Sequence, residues 1–147
     1  CRYMVTRSEM KGLQGWFLNR LGCFPIDQRR PSLATLRFAV DLLLSRQQLV
    51  VFPEGKINRF GEPVKLKKGL IRLAQLASNK GIDITIVPVG LAYSEVIPKF
   101  CGSASICFSK PIILSKDFKQ SISDFNIALS KSMRSAEQSA LIAVGRT

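Results

Sequence analysis

A chain of 147 residues with 46% apolar and 22% charged side chains is long and hydrophobic enough to bury a core, which excludes a disordered chain and a scaffold dependent on staples. Its 22 Lys and Arg against 10 Asp and Glu give a formal charge of +12, which selects polyanions: nucleic acid, an anionic bilayer surface, or phosphorylated and CoA-type ligands. The absence of any histidine excludes Ser-His, Cys-His and His-metal chemistry from these residues.

The four cysteines, Cys1, Cys23, Cys101 and Cys107, form no Cys-x-x-Cys pair and read as reduced cytosolic thiols. No run of about eighteen apolar residues occurs, so any membrane contact is expected to be peripheral. The chain opens on Cys1 with no charged leader and cleavage site, as a piece of a longer protein does. No repeat or linker divides it, and residues 1–147 are expected to form one domain.

Arg2 to Thr6 alternates as a strand does. Glu9 to Leu21 follows as a helix with Leu13, Trp16, Phe17 and Leu21 on one face, Trp16 and Phe17 being read as core in preference to lipid contacts, and Gly22 is its expected stop. Cys23 to Ile26 is a short apolar stretch, and Asp27 to Pro31 a charged turn. A second helix starts at the N-cap Ser32, buries Leu33, Leu36, Ala39, Val40, Leu43 and Leu44, and ends near Arg46. Leu49 to Phe52 suits a strand buried on both faces of a sheet. A third helix spans Gly69 to Asn79, with Leu70, Leu73, Ala74 and Ala77 inward and Gly81 as its close, before a β-branched run from Ile84 to Val89. Ala104 to Phe108 reads as a strand and Ile122 to Val144 as terminal helix, with Ile127, Met133 and Leu141 among its apolar positions.

Helix and strand in alternation imply an α/β fold, a single domain with a largely parallel central sheet flanked by helices. Ligands of such sheets gather beyond the carboxyl ends of the strands, so the loop after Phe52 is the expected site. Pro53 fixes its φ there, Gly55 permits φ above zero or close backbone approach, and Lys56, Arg59, Lys65, Lys67 and Lys68 crowd the same loop, opposed by Glu54 and Glu62. Arg and Lys are what a phosphate monoester requires. The loop is either a phosphate site or a plain turn beside a solvated basic face. Glu54 either orients a lysine or a ligand hydroxyl, or is an exposed turn residue. The Asp27-Gln28-Arg29-Arg30 turn brings a guanidinium to the same ligand if it lies beside the Pro53 loop, and is otherwise a surface turn.

Phe52-Pro53-Glu54-Gly55 resembles the third motif of the lysophosphatidate and glycerol-3-phosphate acyltransferases. Upstream, Gly22-Cys23-Phe24-Pro25-Ile26-Asp27 resembles their second motif; downstream, Lys67-Lys68-Gly69 resembles the turn opening the next helix, and Ile86-Val87-Pro88-Val89 resembles the fourth motif. The resemblance runs from about Tyr3 to Tyr93, with Ala104 to Pro111 matching a later strand and the tail after Ser115 unassigned. It implies an N-terminally truncated acyltransferase fold, since the family's upstream His-x-x-x-x-Asp motif, whose histidine deprotonates the acceptor hydroxyl, has no counterpart here. It also implies that Glu54 and Gly55 help bind the acceptor's glycerol phosphate, with Arg29, Lys56, Arg59 and Lys67 supplying charge, and that Pro88 shapes the pocket near the acyl donor. Lys56 stands where the family usually has Thr, and Gln28 where it usually has Arg, so Arg29 takes over that charge one place on.

The function expected from the resemblance is transfer of a fatty acyl group from an acyl-CoA or acyl carrier protein thioester to the free hydroxyl of a lysophospholipid such as lysophosphatidate. The thioester is a co-substrate, no cofactor is expected, and the setting is the cytoplasmic side of a membrane, in peripheral contact with an anionic surface. These residues by themselves are expected to be inactive for want of the base. The alternatives are a non-catalytic relative that binds lipid or anionic membrane and, on charge alone, a nucleic-acid-binding module, disfavoured because no aromatic-basic interleaving accompanies the charge.

Overall fold

The computed structural model describes residues 1–27, 30–55, 66–115 and 122–146. Its elements are β1 (Arg2–Thr6), α1 (Gly12–Arg20), β2 (Cys23–Ile26), α2 (Leu33–Leu44), β3 (Leu49–Val50), α3 (Lys68–Ser78), β4 (Ile84–Ile86), β5 (Val89–Tyr93), β6 (Ala104–Phe108), β7 (Ile112–Leu114) and α4 (Ile122–Ala143), with a short 3-10 turn at Arg7–Glu9. The fold is α/β, as the alternation implied.

The N-terminal half is a parallel sheet in the order β2-β1-β3, with Tyr3 opposite both Cys23 and Val50. The crossover through α1 and the one through α2 run in opposite directions across this sheet. Right-handed connections therefore place the two helices on opposite faces. The pleat agrees: Met4 turns to the α2 side, where it meets Leu36, Ala39 and Val40 of α2 and Leu73 and Ala77 of α3, while its neighbour Tyr3 turns to the other. Phe24, opposite Met4, meets Phe38 of α2 edge to face with ring centroids 5.2 Å apart.

The C-terminal half adds two antiparallel pairs, β4 with β7 and β5 with β6. The expected run from Ile84 to Val89 divides at Val87-Pro88, and the chain changes partners there. Proline lacks the N–H a ladder needs, which ends β4 and lets β5 start a new pairing. Strand β7 was not anticipated. A second core joins Ile71 and Ala74 of α3, Leu114 of β7 and Phe125 and Leu129 of α4, with Ile84 at the boundary of both cores. Helix α4 also rests on β5 and β6, so α2, α3 and α4 form one layer and α1 stands on the opposite side.

Four sequence expectations are corrected. Helix α1 is shorter than expected, and its apolar face is outward: Leu13 is 88% and Trp16 61% exposed, with Phe17 and Leu21 also exposed. Helix α1 packs on β2, and among the described residues no second layer buries that face. In α2, Leu42 is buried while Leu33 and Leu44, at the two ends of the helix, are exposed. Strand β3 ends at Val50 and Phe52 is 65% exposed, because β3 is the edge of its sheet and the chain there is already turning. In α4, Ile127 is exposed, whereas Met133 packs on the second core.

Candidate functional site

Parallel pairing sends the carboxyl ends of β1, β2 and β3 to one edge, and the segments bearing the motifs leave from there. After β3, Gly55 has φ +67° and its N–H bonds to the carbonyl of Phe52 at 3.2 Å, closing the Pro53-Glu54 turn. An L side chain is disfavoured at that φ, so glycine is the residue this turn demands. Glu54 is half-buried, not fully exposed.

The amide of Lys67 donates to the Pro53 carbonyl at 2.7 Å, tying the turn to the start of α3. Lys67 is the N-cap of α3, with extended backbone; its own side chain is exposed and makes no capping hydrogen bond to the first turn. The N–H groups that open a helix point outward and attract anions, aided by the helix dipole.

After β2, the Asp27 carboxylate accepts from the Arg30 amide at 3.2 Å. Pro31 lies beside α3, where a Cβ added at Gly69 would stand 4.0 Å from its Cγ. Pro31 thus adjoins the first turn of α3, to whose start the Pro53–Gly55 turn is tied through Lys67. Ser32 then caps α2, its Oγ accepting from the Thr35 amide at 3.1 Å.

Of the anticipated residues, Glu54, Gly55 and Lys67 stand on this edge. Pro88 is buried between β4 and β5, and its carbonyl accepts from the Ser109 amide at 2.9 Å, so it anchors β5 against the end of β6. Arg29, Lys56 and Arg59, together with Gln28, Glu62 and Lys65, lie outside the described residues. Lys68 lies in the first turn of α3. Sequence reasoning missed the backbone bond from Lys67 to Pro53 and the approach of Pro31 to Gly69. The sequence signals for them are the cyclic Pro31 and Pro53 and the small Gly69 at the points of contact.

The edge holds hydrogen-bond donors, a carboxylate and lysine charge, which suits a phosphorylated hydroxyl compound. It holds no imidazole. Among the described residues no group of acidic or cysteine side chains has the arrangement of a metal site, and all four cysteines are free thiols. No helix among the described residues is long and apolar enough to cross a membrane.

A family model described as Acyltransferase matches residues 1–92. A 1-acyl-sn-glycerol-3-phosphate acyltransferase of Streptococcus pneumoniae (strain ATCC BAA-255 / R6) is 31% identical over 72 residues, 48% of this chain and 26% of that protein. The chain thus spans about a quarter of the length of the relative it matches. No solved structure matches it.

Proposed function

We propose, since this chain belongs to the acyltransferase family, that it carries the acceptor-binding part of an enzyme that moves a fatty acyl group from a thioester to a lysophospholipid such as lysophosphatidate. The observation that carries the proposal is the junction of the Pro53–Gly55 turn with the first turn of α3, made by the Lys67 to Pro53 hydrogen bond. Phosphate oxygens would be received by the opening amides of α3 and the Lys67 ammonium, with Arg29, Lys56 and Arg59 adding charge. Glu54 would accept from a glycerol hydroxyl and hold its orientation. The relative from Streptococcus pneumoniae, whose name specifies a 1-acyl-glycerol-3-phosphate acceptor, supports the same substrate class.

The reaction requires a base to take the proton from the acceptor hydroxyl as its oxygen attacks the thioester carbonyl, the carbon–sulfur bond breaks and the thiol departs. No histidine of these residues can do this. We assign that role to a His-x-x-x-x-Asp pair outside them, which leaves this chain by itself a binder. The donor is acyl-CoA or acyl-acyl carrier protein, no cofactor is needed, and the setting is the cytoplasmic face of a membrane.

Calorimetric titration with lysophosphatidate and with monoacylglycerol, both below their aggregation concentrations, tests the site. Selective binding of lysophosphatidate is expected, weakened about tenfold or more in Lys67→Ala, the scale of one charge-assisted hydrogen bond. Equal affinity for the two lipids, or an unaffected Lys67→Ala, would remove the phosphate site.

A further inference from the structure

The pair β5–β6 is turned inside out relative to an ordinary sheet packed on a helix. An antiparallel sheet normally presents its bulky apolar side chains to the core and its polar ones to water. Here the positions facing α4 are the small residues Gly90, Ala92, Ser105 and Cys107, and those facing away are Val89, Leu91, Tyr93, Ile106 and Phe108. Ile106 is 59% and Phe108 71% exposed. The register sets Val89 against Phe108 and Leu91 against Ile106, so the outward side chains form one continuous patch.

The apolar surface extends beyond this pair. The loop from β5 to β6 adds exposed Ile97 and Phe100. On β7, Ile113 is exposed and alternates with Ile112 and Leu114, which pack on the second core, so it too faces away from the helical layer. Contiguous apolar surface of this kind marks an interaction site.

Charge decides the occupant. None of the outward strand positions carries a charge, while the surrounding residues are mostly basic: Arg146 donates to the Tyr93 carbonyl at 3.0 Å, Lys110 follows β6, and Lys99 pairs with Glu95 in the connecting loop. A second copy of a chain with formal charge +12 would bring like charge against like. Nucleic acid would meet the basic rim but not the apolar centre. A bilayer with anionic headgroups satisfies both, its acyl region receiving the apolar side chains and its headgroups the Lys and Arg.

We infer that the face of β5–β6 turned away from α4 is the surface by which this protein sits on an anionic lipid bilayer. The choice of lipid as partner rests on the lipid-substrate reading; the surface itself rests on exposure and charge. Docking there leaves the α2–α3–α4 layer toward water.

Sedimentation of the 147-residue chain with vesicles of phosphatidylcholine, and of phosphatidylcholine with phosphatidylglycerol, tests it without any substrate present. Binding to the anionic vesicles is expected, with the partition coefficient lowered about tenfold by Phe108→Ser, in line with the transfer free energy of a large apolar side chain. Ile106→Ser is expected to act alike, and Ile142→Ser, 62% exposed on α4, to leave binding unchanged. Circular dichroism of each variant confirms the fold. Absence of vesicle binding, equal effects of all three substitutions, or a wild-type dimer that Phe108→Ser converts to monomer would each overturn the inference. Lysophosphatidate titration reads the acceptor site separately, so either proposal can fail without the other.

Discussion

Gly90 offers the sharpest test of how the second half of the chain is assembled. A Cβ built on it would lie 2.2 Å from the backbone C and O of Ala136 and from the backbone N of Glu137. Optimal contact for carbon is about 3.5 Å or more, so Gly90→Ala forces α4 and β5 apart by roughly 1.3 Å, and backbone on both sides prevents relief by a rotamer change. A gap of that order forfeits about half the dispersion energy of the atoms lining it, here the buried small residues Ala92, Ala136 and Ala140. Overpacking typically costs 1–3 kcal/mol and occasionally more, and with backbone on both sides about 3 kcal/mol is expected. For a urea slope of about 2 kcal/mol/M, the unfolding midpoint falls by about 1.5 M. Equilibrium urea denaturation followed by far-UV circular dichroism measures it. A Gly90→Ala midpoint within about 0.3 M of wild type would refute the close docking of α4 on β5.

At the site, Gly55→Ala is expected to cost about 1–2 kcal/mol, because φ is +67° there, and Gly55→Asn distinctly less, since Asn tolerates that region; urea midpoints give the order, and Asn worse than Ala would contradict it. Ser32→Ala removes the N-cap of α2 and should lower stability by about 1 kcal/mol, with Ser32→Asp near wild type by the same assay. Glu54→Gln should weaken binding of lysophosphatidate severalfold with little change in thermal midpoint, read by calorimetry and by melting; a large loss of stability with unchanged binding would make Glu54 a structural residue instead.

The elements most legible in the sequence were those whose signals are local. Ser32 marked the start of α2, Gly81 follows α3 with φ +72°, and the β-branched run at Ile84 became β4. The Pro53–Gly55 turn was legible because proline and glycine constrain a backbone by themselves. What failed depended on layers. Trp16 and Phe17 carry helical periodicity, and periodicity reports a common face without reporting what covers it. Phe52 looked like core because the run before it is apolar, although the chain leaves the sheet at Val50. The partner change at Pro88 could have been read from proline's missing donor, whereas the antiparallel partners β6 and β7 are long-range choices with no local mark. The meeting of Pro31 with Gly69 is likewise a product of packing between α2 and α3.

The central claim is that these residues bind the acceptor while the base lies outside them. Acyl transfer from acyl-CoA to lysophosphatidate, measured for the 147-residue chain and for the native protein under the same conditions, tests it most directly. The expected result is no acyl transfer by the 147-residue chain and turnover by a native protein that contains a His-x-x-x-x-Asp pair. Full-rate turnover by the 147-residue chain, which has no histidine, would contradict it.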